Sequence, residues 1–562
     1  MPHDFLKNSL NILLRQQTNI LSAAIVIMST VILSQVLGLI RERLLRATFG
    51  ASNTLGIYQY ATNIPDFLFQ LTIAAALASS FIPVFSDYLV KNKEQEGHKM
   101  ASTLLIAGLS IFSFFAVVLL ILAPLFLQIF NLGGKFSSED MTLMANLMKI
   151  FIFGQLLFII GSFFSALLQS YNHFFIAGFA ASMYNLGIII GILIFSPFIG
   201  IYSAPIGVIF GGIIFILVQL PLVKKIGFSF NPTFSLIKSE GIAKIIKLMW
   251  PRTISIAIFN LGTITIASLI SFLSDPGRMY VIYNSAQILS FAPVVLFGQT
   301  IAQAALPILS KEREKLDYFK TTFITSFNQM LYLVLPISVL FLVLRIPIVR
   351  LIFGAAQFDW PATVLTGRTL AFFSISIFAQ SLIALVLRGF YALHNTKMPL
   401  VVGSISTAII IVLVYLFITV HKLGVESIAI AYSIASVFNL VVLFIFLDKM
   451  VGGFDKKNLV LSIVKIFLSS FFTGFALYIP IKLLDQLVFD TTRTINLIFL
   501  TGISAFAGLS LYLFLTWLFN VKEAKTFLLL FKKIGNLPRG KAGWREILGK
   551  SEEVIDATSI KP

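Results

Sequence analysis

Long apolar runs separated by short charged segments make up most of this chain. About 20 apolar residues in a helix are enough to cross about 30 Å of hydrocarbon. We therefore predict an all-α, polytopic membrane protein with about 14 transmembrane helices, each long enough to span a bilayer. The predicted helices cover residues 20–46, 57–88, 101–130, 141–171, 174–197, 200–223, 243–273, 279–309, 321–353, 361–392, 398–420, 424–448, 459–485 and 493–520.

Loop charge predicts the orientation of these helices. The loops that follow the second, sixth, eighth and twelfth helices are rich in lysine and arginine, whereas residues 50–53 and 196–202 contain neither. Cytoplasmic loops carry the excess of basic residues in membrane proteins. Even-numbered loops and both termini are therefore expected in the cytoplasm. The basic residues are Lys91, Lys93, Lys99, Lys224, Lys225, Lys238, Lys311, Arg313, Lys315, Lys320, Lys449, Lys456 and Lys457.

Two short segments recur at nearly one offset along the chain. Residues 82–87 (Ile-Pro-Val-Phe-Ser-Asp) are echoed 224 positions later by residues 306–311 (Leu-Pro-Ile-Leu-Ser-Lys). Residues 168–171 (Leu-Gln-Ser-Tyr) are similarly echoed by residues 387–391 (Leu-Arg-Gly-Phe-Tyr). Both copies keep the same sidedness, which predicts two parallel six-helix repeats followed by two C-terminal helices. Chance similarity between Leu- and Phe-rich runs is the alternative.

This repeat divides the chain into six predicted regions. Residues 1–19 form a cytoplasmic N-terminal segment, and no cleaved signal peptide is expected because the apolar run after it is too long. After Val521, lysine and arginine alternate with Phe and Leu, as in a segment lying on an anionic leaflet. The other regions are an N-lobe (20–223, helices 1–6), a cytoplasmic linker (224–242), a C-lobe (243–448, helices 7–12), helices 13–14 (459–520) and a basic cytoplasmic tail (521–562).

Composition excludes several classes of function. The chain is 58% hydrophobic and 12% charged, so it is not a soluble enzyme. Its net charge of +18 lies at helix ends and therefore does not indicate nucleic-acid binding. The chain has no cysteine, its five histidines lack metal-ligand spacing, and it contains no Walker loop or nucleophile elbow. We expect no catalysis, no cofactor and no metal, and transport driven by an ion gradient or the membrane potential.

A few polar residues lie inside the apolar runs. Arg41, Glu42, Asp66 and Gln70 must face one another or a wet interior, because a charge at the bilayer centre costs roughly 2.5 kcal/mol or more. Arg43 and Arg46, by contrast, are expected to extend to the lipid headgroups. Asp66 is the most deeply placed carboxylate, and three roles stay open for it: it binds a coupling cation, it pairs with Arg41, or it is only structural.

The motifs along the first two helices resemble the MurJ family of lipid II flippases, within the wider group that includes the multidrug (MATE) exporters. They are Val-Leu-Gly-x-x-Arg-Glu at 36–42, Phe-Gly-Ala at 49–51, Pro-Asp at 65–66 and Phe-Ile-Pro at 81–83. Residues 388–399 (Arg-Gly-Phe-Tyr-Ala-Leu-His-Asn-Thr-Lys-Met-Pro) are similar to another segment of that family. The resemblance extends from about Leu21 to about Gly535.

The resemblance implies a flippase that moves a polyisoprenyl-pyrophosphate-linked saccharide, above all lipid II, across the plasma (inner) membrane by alternating access. Helices 13 and 14 would supply a groove for the lipid tail. The implied partners are this lipid substrate, membrane lipids, a coupling cation or the membrane potential, and cell-wall synthesis proteins. Rival functions are the export of another lipid-linked glycan or a small amphiphile, and a membrane scaffold that does not transport.

The resemblance also indicates site residues. Arg41 matches the family's cavity arginine, and Asp66 and Glu42 are candidates for ion coupling. Further candidates for contact with the substrate are Asn260, Arg252 and Arg388. The chain departs from the family at four positions. At three of them it has glutamine where the family has arginine, and at the fourth it has alanine where the family has glutamate. These residues are Gln35, Gln70, Gln287 and Ala74. The lost charges leave the exact substrate open.

Overall fold

A computed structural model describes residues 20–74, 80–233, 240–355, 357–487 and 493–527, and every regular element in these ranges is helical. The α-helices are α1 (Ile20–Phe49), α2 (Asn53–Phe69), α3 (Ile82–Val90), α4 (Glu94–Ile121), α5 (Ala123–Gln128), α6 (Ser138–Ser170), α7 (Phe174–Ile199), α8 (Ser203–Lys225), α9 (Glu240–Ile270), α10 (Pro276–Pro293), α11 (Thr300–Glu312), α12 (Leu316–Val343), α13 (Arg345–Phe353), α14 (Trp360–Ala392), α15 (Lys397–Tyr415), α16 (Glu426–Met450), α17 (Lys456–Leu487) and α18 (Thr494–Leu518).

The predicted all-α polytopic architecture is confirmed. Within the described ranges, ten stretches are long and apolar enough to cross a membrane, one of them the continuous run Phe174–Lys225 that contains α7 and α8. Helix ends differ from the apolar runs where polar residues start a helix. Ser137, for example, forms a capping box with Asp140, so α6 begins before its apolar part. The predicted helix 321–353 is in fact divided into α12 and α13.

The internal repeat is clearer in the lengths and start positions of the helices than in the sequence. Helices α4 and α12 have 28 residues each and begin 222 positions apart. Helices α6 and α14 have 33 residues each and also begin 222 positions apart. A π-helical segment begins at Gln70 and another at Val294, 224 positions later. Matching lengths and matching backbone irregularities at one offset indicate two copies of one six-helix unit.

By contacts, the chain groups into two units, which we describe separately. The first contains residues 1–292, 345–376 and 395–443, and the second contains 293–344, 377–394 and 444–562. In the first unit, α7 packs on α8 through Gly187, Gly191, Gly207 and Gly211. A Cβ on Gly187 would lie 2.2 Å from the Gly211 Cα, so no larger residue fits there. Small residues at a helix interface permit this close approach of two backbones.

In the second unit, α12, α17 and α18 pack together around buried tyrosines. The Tyr512 hydroxyl donates to the Tyr332 carbonyl at 2.7 Å, and the Tyr332 hydroxyl lies 3.3 Å from Thr516 Oγ1. Phe323 stacks on Phe454 at 5.2 Å between ring centroids. The division into an N-lobe and a C-lobe at residues 224–242 stays a prediction.

Candidate functional site

The polar centre of the first unit is a chain of ionic contacts on α1. Arg41 Nη2 donates to Glu42 Oε1 at 2.5 Å, and Arg46 Nη1 donates to Glu42 Oε2 at 2.5 Å. Glu42 therefore lies between two guanidinium groups, and this chain of three residues has a net charge of one positive unit. We call Arg41, Glu42 and Arg46 the α1 triad.

Arg46 does not extend to the headgroups, and that prediction was wrong. Its side chain is fully buried. Besides Glu42, it contacts α10, because Nε donates to Ser285 Oγ at 2.6 Å and Nη2 to Asn284 Oδ1 at 3.3 Å. Its guanidinium also lies 4.4 Å from the Phe353 ring. The four-residue spacing from Glu42 was the sequence signal for this pair.

Arg43 lies on the other side of α1. Its side chain is exposed, and Nη1 donates to the Leu351 carbonyl of α13 at 2.6 Å. The arginines of α1 thus separate by helical position, as their spacing requires: Arg41 and Arg46 join the triad, and Arg43 faces outward.

Arg41 is the member of the triad that retains free hydrogen-bonding capacity. Nη1 donates to Asn185 Oδ1 of α7 at 2.9 Å, and the guanidinium lies 5.6 Å from the Tyr184 ring. The Nε–H has no hydrogen-bond partner in the described part of the chain, and the side chain is 21% exposed. Our sequence analysis missed Asn185 and Tyr184, which lie in an apolar helix without a motif.

Asp66 is paired with an amide. Gln155 Nε2 of α6 donates a hydrogen bond to Asp66 Oδ1. Among the described residues, the Arg41 guanidinium bonds to Glu42 and Asn185 and not to Asp66. The direct Arg41–Asp66 pair that the sequence left open is therefore absent from this conformation. Gln155, which sequence analysis also missed, orients the carboxylate.

Two of the other candidates contact each other. Asn260 Nδ2 of α9 donates to Gln70 Oε1 at 3.1 Å, at the point where α2 changes to π-helix. This hydrogen bond joins α2 to α9 across 190 residues of sequence. The Gln70 amide thus links two helices of the first unit.

The remaining candidates are dispersed. Gln35 lies exposed on α1, and Gln287 Nε2 donates to the Tyr283 hydroxyl at 3.0 Å. In the second unit, the Arg388 guanidinium lies 5.9 Å from the Tyr391 ring, and its Nε is buried without a bond in the described part of the chain. Ala74 ends the first π-helical segment. The side chain of Arg252, in α9, lies outside the described part.

Close contacts join the early and late helices of the first unit beside residues 50–53. Tyr60 donates to the Ala267 carbonyl at 3.0 Å, and its ring stacks on Tyr280 at 4.3 Å. A Cβ on Gly56 would lie 2.1 Å from the Gly277 carbonyl oxygen, so α2 and α10 meet backbone to backbone. The helices are therefore in direct contact here.

An ion pair reinforces this contact. Arg278 Nη2 donates to both Asp359 oxygens at 2.8 and 2.7 Å, and Nη1 donates to the Ala51 carbonyl at 3.3 Å. Burial alone would raise the pKa of Asp359. Hydrogen bonds from Arg278 and from the Ala362 amide outweigh this effect and hold the pKa below its usual value. We call Arg278, Asp359 and Ala51 the latch.

No group of three His, Cys, Asp or Glu side chains that could hold a metal ion occurs in the ranges that the structure describes. The chemistry available at the α1 triad is therefore that of hydrogen bonds and charge. A buried guanidinium with an unused N–H can bind an anion, and phosphate groups match its planar geometry.

Comparisons with known proteins agree on one family. Residues 45–496 match the model of the family described as "Lipid II flippase MurJ". A "Lipid II flippase MurJ" from Burkholderia cenocepacia is 25% identical over 444 residues, which cover 77% of this chain and 84% of the relative. A "Probable lipid II flippase MurJ" from Thermotoga maritima is 27% identical over 431 residues, covering 75% and 84%.

Solved structures show the same fold. One described as "Lipid II flippase MurJ, inward closed conformation" has a TM-score of 0.73 and 23% identity, covering 88% of this chain and 98% of the other. An inward-facing MATE multidrug transporter of the MOP superfamily has a TM-score of 0.63 and 14% identity, covering 76% and 98%.

Proposed function

The chain belongs to the lipid II flippase MurJ family, and we propose that it moves lipid II from the inner to the outer leaflet of the plasma membrane by alternating access. The observation that carries this proposal is the α1 triad, a buried cationic site in a helix that the sequence predicts to span the membrane. Such groups are costly in a bilayer and mark the path of a polar substrate. The headgroup crosses inside the protein while the lipid tail stays in hydrocarbon, beside α17 and α18.

Arg41 is the proposed contact for the substrate's pyrophosphate. Its unused Nε–H and partial exposure leave it able to accept a second anion. Asn185 and Glu42 fix the plane of the guanidinium by their hydrogen bonds. When pyrophosphate arrives, Arg41 can exchange Glu42 for the substrate, while Arg46 keeps Glu42 paired and prevents an uncompensated buried carboxylate.

The latch and the contacts of Arg46 form the proposed outer gate. They join helices that precede residue 224 to helices that follow residue 243, which are the two predicted lobes. Opening toward the outer leaflet must separate these partners. Because Arg46 is bonded to both Glu42 and α10, the state of the binding site and the state of the gate are linked through one side chain.

Asp66 is the proposed site of ion coupling. It lies half-buried in α2, four residues before the π-helical segment, and its hydrogen-bond partner is the neutral amide of Gln155. A carboxylate held by an amide can take up and release a cation more readily than one locked in an ion pair. Transport driven by an ion gradient or by the membrane potential requires such a group.

The glutamines favour a second candidate, a lipid-linked glycan with a less anionic headgroup. Gln70 and Gln287 use their amides for bonds to Asn260 and Tyr283 inside the protein. They add no positive charge where relatives of this family carry arginine. Each missing charge-assisted hydrogen bond removes roughly 1.5–3 kcal/mol of affinity for a pyrophosphate.

Rescue of cells depleted of their own lipid II flippase tests both candidates. We expect the wild-type chain to restore growth and Arg41→Ala to abolish it at equal protein level in the membrane. If wild type fails and a variant with arginine at Gln35, Gln70 and Gln287 succeeds, the less anionic glycan is favoured. Rescue that survives Arg41→Ala would contradict the role of the α1 triad. A scaffold without transport would tolerate neutralisation of both Arg41 and Asp66.

A further inference from the structure

A cavity of about 440 Å³ lies in the first unit, away from the α1 triad in sequence and built from other helices. It is formed by the start of α13, the first half of α14, the loop before α16 and the first turns of α16. Neither the transport site nor the latch uses its lining residues. They are Arg345, Arg368, Ala371, Phe372, Leu423, Glu426, Ser427 and Ile430.

The charged groups of this cavity favour an anion with one negative charge. Two arginines and one glutamate line the cavity, which gives the lining a net charge of one positive unit. Arg368 is exposed and forms no hydrogen bond or ion pair with any residue that the structure describes. The Glu426 carboxylate lies against the loop, because a Cβ on Gly424 would lie 2.6 Å from its Oε2. A guanidinium without a protein partner in such a cavity is able to bind an anion.

Apart from the charged residues and Ser427, the lining is apolar, and it adjoins an exposed apolar surface. Ile375 lies two helical turns from Arg368 on the same face of α14 and is 47% exposed. Ile434 lies one turn from Ile430 on α16 and is also 47% exposed. Trp360, at the start of α14, is 57% exposed, as tryptophans at a membrane–water interface are. The arginines thus lie near headgroup depth, with exposed apolar side chains leading away from them.

We propose that this cavity binds the phosphate of an anionic membrane phospholipid. Arg368 and Arg345 bind the phosphodiester, and the acyl chains lie along Ile375 and Ile434. The single net positive charge matches one phosphodiester better than a dianionic free phosphate. The apolar lining favours a lipid over a soluble ion. Assignment to the outer leaflet rests on the orientation proposed from loop charge, whereas binding itself does not.

Lipid binding to the purified full-length chain tests this inference without any transport assay. The delipidated protein is titrated in detergent with phosphatidylglycerol or phosphatidylcholine, and bound lipid is counted by native mass spectrometry. We expect preferential binding of phosphatidylglycerol, and a loss of affinity of roughly tenfold or more in Arg368→Gln. Arg368→Lys should lose less, because it keeps the charge but not the planar fork.

Glu426→Gln is the decisive second variant. It removes the carboxylate that competes with the lipid phosphate, so affinity for phosphatidylglycerol should rise severalfold, a gain that misfolding cannot produce. Lys135→Gln is the matched control, since it removes an exposed cation that does not line the cavity, and it should leave binding unchanged.

Three results would overturn the proposal. Equal binding of phosphatidylcholine and phosphatidylglycerol would exclude recognition of the net negative charge. Displacement of the lipid by millimolar inorganic phosphate would identify a free-anion site instead. Unchanged affinity in both Arg368→Gln and Glu426→Gln would place the lipid elsewhere. None of these results bears on flipping, so failure here and failure of the proposed function are distinguishable.

Discussion

At the scale of single residues, the geometry of the candidate site depends on how Glu42 is shared between two arginines. Glu42 is shared by Arg41 and Arg46, and of the two only Arg41 has a buried guanidinium nitrogen, Nε, that forms no hydrogen bond in the described part of the chain. The sequence indicated that Arg41, Glu42 and Asp66 could not face lipid. It could not supply their partners Asn185 and Gln155, because these lie more than eighty residues away along the chain in other apolar helices. Partners brought together by tertiary packing leave no local pattern.

The first prediction at the scale of single residues concerns Arg46. Arg46→Met should destabilise the protein by about 1.5–3 kcal/mol, because it removes a buried charge-assisted hydrogen bond to Glu42 and leaves Ser285 without its donor. The free energy of unfolding of the purified protein measures this change. Arg43→Met, which alters an exposed arginine on the same helix, should change it by less than about 0.5 kcal/mol. Equal effects of the two substitutions would argue against the buried pair.

The second prediction at this scale concerns Asp66. Asp66→Asn keeps the size of the side chain and its contact with Gln155 but removes the charge. Transport should therefore lose its dependence on an ion gradient or membrane potential, with little change in thermal stability. The measurement is substrate movement in proteoliposomes with and without an imposed gradient. Asp87→Asn, an exposed aspartate paired with Lys244, serves as the control and should leave that dependence intact. An unaltered gradient response in Asp66→Asn would reduce Asp66 to a structural role.

At the scale of elements, the sequence predicted helices well and their ends less well. Apolar runs locate the spans because lipid and packing both select for them. Helix starts are set by polar caps such as Ser137 with Asp140, and α12 and α13 are divided at Leu344 without a break in hydrophobicity. The repeat shows the same limit: two short echoes in the sequence indicated it, and equal helix lengths at one offset support it more strongly.

The start of α14 gives a prediction at this scale. Asp359 caps α14 through the Ala362 amide and holds Arg278, and its pKa lies below the usual value. A lowered carboxylate pKa means that its stabilising effect is present above about pH 4 and is lost as pH falls through the folded-state pKa. Asp359→Asn should therefore lower the unfolding temperature at pH 7, and the difference from wild type should shrink under acidic conditions. Asp317→Asn, which alters an exposed aspartate in the first turn of α12, is the matched control. A difference of the same size at both pH values would exclude the charge of Asp359 as the cause.

At the scale of the whole molecule, orientation follows from loop charge and is open to a direct test. The chain has no cysteine, so a single introduced cysteine reports without background. The structure guides the choice of sites: Ser52 caps α2 and Asn92 has a positive φ of 56°, so their exposed neighbours are better hosts. Cysteines at Lys93 and Glu314 should react with a membrane-impermeant maleimide only after the cytoplasm is made accessible.

A cysteine at Thr54, an exposed position in the first turn of α2, should react in intact cells. The two outcomes are linked, because one predicted span, residues 57–88, lies between Thr54 and Lys93, and a single crossing must place them on opposite sides. Glu314 tests the same register in the second repeat, about 222 positions from Lys93. Labelling of Lys93 in intact cells would reverse the orientation, and with it the assignment of the latch to the outer gate. Opposite sidedness of Lys93 and Glu314 would show that the repeats are inverted and not parallel. The expected pattern, two protected sites and one accessible site, is the one that a pair of parallel six-helix repeats requires.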